Sequence, residues 1–352
     1  MTDNRPSFEQ SCPLPIQAKK AVQLAHGGGG RLMQELIQDV FLRAFQNPVL
    51  APLHDGATWQ VEKGTLAFTT DSYVVRPLFF PGGNIGSLAV NGTINDLAMC
   101  GAKPLYLSAG FILEEGLSIE ILQRVVNSMA EAARVAEVPI VTGDTKVVDR
   151  GKGDGIFITT SGVGLVPARV HVLPTLIEPG DAILVSGDLG SHGVAVLSVR
   201  EGLRFDGNIE SDSAPLHHIV SDLIQSGIEI HCLRDLTRGG LASVLNELAM
   251  AAKVGMTVEE TTIPVREPVR GACELLGLDP LYVANEGRFV AIIPARQTVA
   301  ALAVMRRHEA ARLAAHIGIV TDSDPSMVVL RTVVGTHRAL DLLSGEQLPR
   351  IC

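Results

Sequence analysis

The segment Val138-Pro139-Ile140-Val141-Thr142-Gly143-Asp144-Thr145-Lys146 is the most informative stretch for the fold class of this chain. A helical pattern over residues 118–137, with Ser118 as its N-cap, comes directly before it. Its first four residues predict a short strand, and residues 156–166 predict the next strand with no helix in between. Strands that follow one another directly indicate a mixed α+β fold rather than a doubly wound α/β sheet.

The pattern extends in both directions from this segment. On its N-terminal side, residues 65–70 predict a strand that stops at Asp71, residues 84–100 an amphipathic stretch that ends near Asn95-Asp96, and residues 104–113 a strand. On its C-terminal side the pattern pauses near residues 173–179, and a second alternation begins. We predict helices over residues 190–201, 215–226, 240–254 and 296–308, and strands over residues 257–263, 288–294, 316–321 and 327–334.

The chain length favours two domains, because a single core rarely grows beyond about 250–300 residues. The sequence has 352 residues. We predict a mobile N-terminal arm over residues 1–25, an N-terminal domain over 26–170, a C-terminal domain over 178–344 and a flexible tail over 345–352.

Composition excludes several classes of protein. The chain is 46% hydrophobic and 19% charged, and its formal net charge is −9, so neither nucleic acid nor an anionic membrane is a favoured partner. No long uninterrupted apolar stretch predicts a transmembrane helix. The five cysteines are scattered without a C-x-x-C pair, which favours a reducing, cytoplasmic location over a disulfide framework or a structural zinc site.

A run of four glycines follows His26 and precedes a helical pattern that starts at Arg31. Free amides at a helix N-terminus bind anions, so Gly28 and Gly29 are candidate phosphate contacts. No Gly-Lys-Ser/Thr follows, which excludes a Walker A loop. A phosphate cradle and a flexible hinge both remain open.

Four aspartates of the first half are candidate magnesium ligands. Asp71 ends a predicted strand, Asp96 follows Asn95 before a glycine, Asp144 follows a predicted buried strand, and Asp55 precedes Gly56. Mg²⁺ prefers oxygen ligands and is often held by one or two carboxylates together with substrate phosphates. Each acid by itself is also an ordinary turn or cap residue.

Three further polar clusters are candidates for the same site. Thr145-Lys146 offers a hydroxyl and a cation for a phosphoryl group, although Lys146 could instead pair with Asp144. The segment from Arg234 to Gly240 precedes a helix, which its Thr and Gly residues can cap. Residues 285–288, Asn-Glu-Gly-Arg, lie between apolar segments where a plain turn is the alternative.

The chain ends in Pro349-Arg350-Ile351-Cys352, after an apolar run that stops at Gly345. Proline cannot continue a helix, so this polar arm can carry the thiol of Cys352 away from its anchor. A frayed terminus with an accidental cysteine is the alternative.

Together these motifs resemble the HypE family of hydrogenase maturation factors, the carbamoyl dehydratases of the AIR-synthetase-like (PurM-like) ATPase superfamily. The resemblance covers nearly the whole chain and includes the glycine run, residues 70–73, 79–86, 110–116, 142–146, 234–240 and 285–288, and Asn95-Asp96. The terminal Pro-Arg-Ile-Cys is its most specific part, because glycine loops and aspartate clusters recur throughout the superfamily.

The resemblance implies two α/β domains, with the N-terminal domain forming a homodimer through its sheet and ATP bound near that interface. It implies that Asp55, Asp71, Asp96 and Asp144 hold Mg²⁺-ATP, and that Asn95, Thr145 and the glycine run contact phosphates. Superfamily members often have two adjacent acids where this chain has His54-Asp55, which weakens the assignment of Asp55.

The resemblance also implies the reaction. Cys352 would accept a carbamoyl group from the carbamoyltransferase HypF, and ATP-dependent dehydration would convert that group into a thiocyanate for a HypC–HypD complex. Glu286 is the expected base, and Lys146 is expected to orient or stabilise the oxygen.

Two other functions are open at this point. One is a superfamily enzyme for a small substrate, such as an AIR synthetase, a selenophosphate synthetase or a thiamin monophosphate kinase, which would not need the tail. The other is a non-enzymatic carrier of Cys352, in which the aspartates and the glycine run would have no task.

Overall fold

The computed structural model describes residues 30–38, 51, 53–61, 64–203, 205 and 207–342. The predicted arm over residues 1–25, Gly28, Gly29, the tail over residues 345–352 and Cys352 lie outside the described residues. A short helix, α1 (Arg31–Leu36), is the first described element.

A five-stranded sheet forms the framework of the first domain. Its strands stand in the order β1-β2-β7-β5-β6, and all neighbours are antiparallel except the parallel pair β5 and β6. Two helices, α2 and α3, pack against each other, and α2 lies on β2 and β7. The elements of this domain are β1 (Ala57–Val61), β2 (Gly64–Tyr73), β3 (Phe79–Phe80), β4 (Gly83–Asn84), α2 (Ile85–Met99), β5 (Lys103–Glu114), α3 (Ile119–Val135), β6 (Ile140–Val148) and β7 (Ile156–Val166).

A seven-stranded mixed sheet forms the framework of the second domain. Its elements are β8 (Asp181–Val185), α4 (Ser191–Arg200), α5 (His217–Gln225), β9 (Cys232–Asp235), α6 (Gly240–Ala252), β10 (Gly255–Glu259), α7 (Glu267–Leu276), β11 (Phe289–Pro294), α8 (Thr298–Met305), β12 (Ala315–Thr321), β13 (Val328–Arg331) and β14 (His337–Leu340). The strand order is β14-β13-β10-β12-β8-β11-β9, and only β10 and β13 are parallel.

Helix α2 is the structural link between the domains. Asn84 caps it through a reciprocal pair of hydrogen bonds with Ser87, and every helical residue except Ser87 and Asp96 is buried. One end of α2 packs in the core of the first domain, whereas Ala98 and Met99 pack in a core of the second. The helix is therefore covered on all sides, and the amphipathic character predicted for residues 84–100 is wrong.

Two strands are longer than their apolar patterns predicted. The strand that we expected over residues 138–141 runs to Val148, so Asp144 lies inside β6 opposite Gly110 of β5. The strand that we expected to stop at Asp71 continues to Tyr73, with Asp71 opposite Thr160 of β7. Backbone pairing extends both strands through polar residues, because the ladder bonds do not depend on the side chains.

The mixed α+β, two-domain fold is confirmed, and the remaining predicted elements fall close to the observed ones. The sequence patterns missed β1, β3, β4, β9, α7 and β14, which are short or lie beside stronger signals. None of the helices within the described residues is long and apolar enough to cross a membrane. The described cysteines Cys100, Cys232 and Cys273 are buried free thiols.

Candidate active site

A cleft of about 1250 Å³ lies between the two domains. The first domain contributes the loop before β1, residues 68–73 of β2, and Leu88, Gly92 and Asp96 of α2. The second domain contributes one side of α6, Glu286, and four residues of the segment before α6, namely Arg234, Asp235, Thr237 and Arg238. The cleft is large enough for a nucleotide, because typical ligand pockets measure about 300–1,000 Å³.

Strand β2 supplies one wall of the cleft. Alternate residues of a strand face the same side, and Thr69, Asp71 and Tyr73 share the side that faces α2. The hydroxyl oxygen of Thr69 lies 2.8 Å from Asp96 Oδ2 and 3.0 Å from the Asp55 carbonyl oxygen, and these two acceptors compete for its single proton. Three of the four candidate aspartates, Asp55, Asp71 and Asp96, therefore line the same cleft.

Asp96 is the only acidic residue of α2, and it projects into this cleft. Burial raises its pKa well above the usual range, and the neighbouring charges of Asp235, Asp55 and Asp71 raise it further. The hydrogen bond from Thr69 opposes this rise in the pKa, and a cation in the cleft would stabilise the charged form further.

Asp55 already has a cationic partner. Its Oδ1 lies 2.9 Å from Nε of Arg234, whose Nη2 lies 2.9 Å from Glu247 Oε2. Burial raises the pKa of Asp55, and Arg234 partly opposes that rise. Because this ion pair neutralises Asp55, its assignment as a magnesium ligand is weaker than those of Asp71 and Asp96.

The second domain places two further acids in the cleft. Burial raises the pKa of Asp235 to about 6, with Arg234 opposing and Asp71 adding to the rise. Burial also raises the pKa of Glu286 well above its usual range, and the charges of Asp235, Asp71 and Asp212 add to this effect. Glu286, predicted as the base, therefore lies in the cleft in an environment that favours its protonated form.

The sequence left the role of Asp235 open, although residues 234–240 were predicted to cap a helix. The hydroxyl of Thr237 donates to Asp235 Oδ1 at 3.3 Å, and Thr237 and Arg238 also line the cleft. The adjacent arginine was no signal for Asp235, because the described ion-pair partners of Arg234 are Asp55 and Glu247.

Asn95 lies beside Asp96 on α2 but has a different environment. Its Nδ2 donates to the carbonyls of Ala214 at 3.1 Å and Glu286 at 3.4 Å, and its Oδ1 accepts from the Leu216 N–H at 2.8 Å. The side-chain amide of Asn95 therefore makes all three of these hydrogen bonds to residues of the second domain. The geometry thus gives Asn95 an interdomain position in place of the predicted phosphate contact.

Asp144, Thr145 and Lys146 are not among the described residues that line the cleft of their own chain. All three are exposed on β6, an edge strand of the first sheet. Nζ of Lys146 lies 2.8 Å from Asp144 Oδ2, and this contact lowers the pKa of Asp144. Within one chain, the structure separates Lys146 from Glu286.

The cleft suits Mg²⁺ only together with a phosphate ligand. Within the described part of the chain, no group of three or more His, Cys, Asp and Glu side chains is arranged to hold a metal ion by itself. Asp71 and Asp96 are the carboxylates that fit best, since Asp55 pairs with Arg234. Phosphate oxygens and water would complete the coordination shell.

The fold and the interdomain cleft correspond to a known class of proteins. Residues 53–166 match the family model described as AIR synthase related protein, N-terminal domain, and residues 178–330 match its C-terminal domain. The chain is therefore an AIR-synthase-related protein.

Individual relatives narrow this class. The carbamoyl dehydratase HypE of Azotobacter vinelandii is 56% identical over 332 residues, which cover 94% of this chain and 97% of that protein. The crystal structure of a HypE–HypF complex matches with a TM-score of 0.83 and 47% identity, covering 88% of this chain and 99% of that one. A HypE structure in complex with ATP matches with a TM-score of 0.80 and 52% identity, covering 92% and 98%. The chain belongs to the HypE family.

Proposed function

We propose that the chain is an ATP-dependent carbamoyl dehydratase that acts on its own C-terminal Cys352. It converts an S-carbamoyl group on that thiol into a thiocyanate, which supplies the cyanide ligand during [NiFe]-hydrogenase maturation. The cleft carries this proposal, because Asp71 and Asp96 of one domain face Asp235 and Glu286 of the other across a space that accepts a nucleotide. The relative crystallised with ATP supports the same nucleotide here.

The reaction removes the carbamoyl oxygen, which is a poor leaving group until it is phosphorylated. The oxygen attacks the γ-phosphorus of ATP, ADP departs, and the nitrogen loses one proton. The carbon–oxygen bond then breaks, phosphate leaves, and the second N–H proton is removed as the carbon–nitrogen triple bond forms. ATP and the carbamoyl group thus become ADP, phosphate and a thiocyanate.

Glu286 is the base of this proposal. It lies between Asp235, Asp71 and Asp212, and its pKa is raised by burial and by these three charges. A base whose pKa lies closer to the working pH transfers protons more efficiently than an ordinary exposed glutamate. Asp235 and Arg238 line the same cleft.

Asp71 and Asp96 would hold Mg²⁺, with Asp55 and its Arg234 partner behind them. The ion would neutralise and align the phosphates, which this acidic cleft cannot do by itself. Gly28 and Gly29, which precede the described residues, stay candidate phosphate contacts.

Lys146 lies away from the cleft of its own chain, but in a homodimer it would lie at the cleft of the partner chain. The open face of the first sheet exposes apolar side chains, among them Phe68, Leu165 and Tyr106, and Tyr106 is 51% exposed. Phe68 pairs with Val163 of β7, which pairs with Tyr106 of β5, so these residues form a row across the sheet. Two such faces packed together would cover these rows and bring β6, with Asp144, Thr145 and Lys146, to the partner's cleft.

The carbamoyl donor and the cyanide acceptor are other proteins in this proposal. The relative crystallised with HypF supports a HypF-type carbamoyltransferase as the donor. A HypC–HypD complex is the acceptor, and the reaction takes place in the cytoplasm, where a reactive thiol persists.

Mass spectrometry of the C-terminal peptide tests the proposed activity. After incubation with HypF, carbamoyl phosphate and ATP, we expect a Cys352 adduct that has lost one water relative to the carbamoyl form. Cys352→Ala should yield neither adduct. A dehydrated adduct in that variant, or none in the wild type, contradicts the proposal.

Removal of residues 346–352 separates this function from that of enzymes with small substrates. We expect the truncated chain to bind ATP and to lose all dehydratase activity. Turnover of a small substrate by the truncated chain would favour the AIR synthetase, selenophosphate synthetase or thiamin monophosphate kinase type of activity.

A further inference from the structure

Both backbone polar groups of Glu286 are held by side chains from outside its own loop. Its N–H donates to Asp212 Oδ1 at 3.0 Å, and its carbonyl accepts from Asn95 Nδ2 at 3.4 Å. Asn95 belongs to α2, whereas Asp212 belongs to the segment before α5. The peptide that carries the proposed base is therefore clamped between the two domains.

The same two side chains join the loop to one continuous segment of chain. Asn95 also bonds Ala214 and Leu216, which follow Asp212 by two and four residues. Gly287 lies so close to this segment that an added Cβ would be 1.9 Å from the carbonyl oxygen of Asp212. Loop 285–288, segment 212–216 and Asn95 thus form one packed unit, which we call the Glu286 bracket.

The bracket also fixes a distance relevant to the reaction. Asn95 and Asp96 are consecutive residues of α2, and Asn95 contacts the Glu286 backbone while Asp96 lines the cleft. A rigid helix therefore connects a carboxylate proposed to hold Mg²⁺ with the proposed base. Displacement of a reacting group by about 1 Å can lower a rate by roughly 100-fold.

The charge on Asp212 gives the bracket a second effect. Its carboxylate is buried, and Oδ2 lies 3.6 Å from Nε of Arg288, which also pairs with Asp188. This negative charge, together with those of Asp235 and Asp71, disfavours the ionised form of Glu286, whereas Arg238 favours it.

We propose that Asn95 and Asp212 are positioning residues for the dehydration step, which hold Glu286 at a fixed place relative to Asp96. This inference rests on the proposed function, in which Glu286 is the base. Asn95 would position Glu286, whereas its neighbour on α2, Asp96, would hold Mg²⁺.

Asn91 provides a matched control, because it lies one turn before Asn95 on the same helix. Its Nδ2 donates to the Ser213 hydroxyl at 3.1 Å, so it contacts the same segment without a described bond to loop 285–288. We expect Asn95→Ala to slow dehydration by about 10- to 100-fold with ATP binding unchanged. Asn91→Ala should dehydrate at the wild-type rate, and equal rates for the two variants would overturn the positioning by Asn95.

Two substitutions of Asp212 separate its hydrogen bond from its charge. Asp212→Asn retains an acceptor for the Glu286 N–H, so its maximal rate should stay within a few-fold of wild type. The acidic limb of its pH–rate profile should move to lower pH, because a negative charge beside Glu286 is lost. Asp212→Ala loses the bond as well, and its maximal rate should fall by about 10- to 100-fold.

A titration of Glu286 by NMR, with isotope-labelled glutamate carboxyls assigned through Glu286→Gln, tests the charge effect without any turnover. The inference requires the Glu286 midpoint in Asp212→Asn to lie at lower pH than in the wild type. An unmoved midpoint would overturn the electrostatic role of Asp212. Absence of dehydration in the wild type would contradict the proposed function but would leave this titration decisive.

Discussion

At the residue scale, a single arginine controls the charge balance behind the cleft. Arg234 is 19% exposed and contacts Asp55 and Glu247, and its Nη1 donates to the Leu53 carbonyl at 3.0 Å. Burial raises the pKa of Asp55, so this carboxylate depends on Arg234 for its charged form. The arginine therefore stabilises the fold and would compete with a metal ion for Asp55.

Replacement of this arginine tests its structural role. Arg234→Leu leaves two carboxylates without their cation, so we expect the free energy of unfolding to fall by about 3 kcal/mol. Urea denaturation at neutral pH measures this change. Arg296→Ala, which removes an exposed ion pair with Glu229, should cost less than about 1 kcal/mol. Equal losses in the two variants would contradict the account of Arg234.

Several site residues could be predicted from the sequence. Others could not, because their roles depend on contacts with residues that are distant in the sequence. Asp71, Asp96 and Glu286 were recognised from local motifs, and the structure brings them to one cleft. Asp212 lies in a segment without regular secondary structure. Its local sequence does not indicate the contact with Glu286, which is 74 positions away. Such contacts depend on the packing of the domains.

At the element scale, α2 shows the limit of hydrophobic periodicity. Its glycines and asparagines indicated a helix with one polar face, yet the helix is buried on all sides. The amphipathic pattern assumes that one side meets water, and the second domain removes that condition. In β6, by contrast, polar residues extend a strand, because its side chains are exposed and only its backbone needs pairing.

Two helical glycines should respond to alanine with opposite signs. An added Cβ at Gly86 of α2 would lie 2.4 Å from the Val125 carbonyl oxygen of α3, whereas at Gly271 of α7 it would meet nothing within 4 Å. Gly86→Ala should therefore destabilise the fold by about 1–3 kcal/mol through overpacking. Gly271→Ala should stabilise it by up to about 1 kcal/mol through helix propensity. Thermal and urea unfolding measure both, and stabilisation by Gly86→Ala would contradict the close packing of α2 on α3.

At the scale of the whole molecule, two domains form the cleft, and a second copy is proposed to complete it. The buried link through α2 explains how Asp96 and Glu286 come together within one chain. The exposed position of Lys146 on β6 explains why a single chain does not bring all the proposed groups together. Neither relation is encoded in a local motif, so the sequence alone could name these residues but not place them.

Mixed dimers test whether Lys146 acts in the partner's cleft. Glu286→Ala and Lys146→Ala chains should each fail to dehydrate the carbamoyl group. If the two residues act from different chains, half of the randomly reassociated dimers have one intact site, and activity should return to about a quarter of wild type. Separately purified variants, mixed after dissociation, provide the comparison. No recovery in dimers shown to be mixed would place both residues within one chain.

In the proposed reaction, ATP activates the carbamoyl oxygen on Cys352 for removal. The most direct measurement follows that oxygen, by means of carbamoyl phosphate labelled with a heavy oxygen isotope in its carbonyl group. After transfer to Cys352 and a single turnover with unlabelled ATP, we predict that the label appears in inorganic phosphate as the thiocyanate forms. Unlabelled phosphate, with the label released as water, would contradict the account.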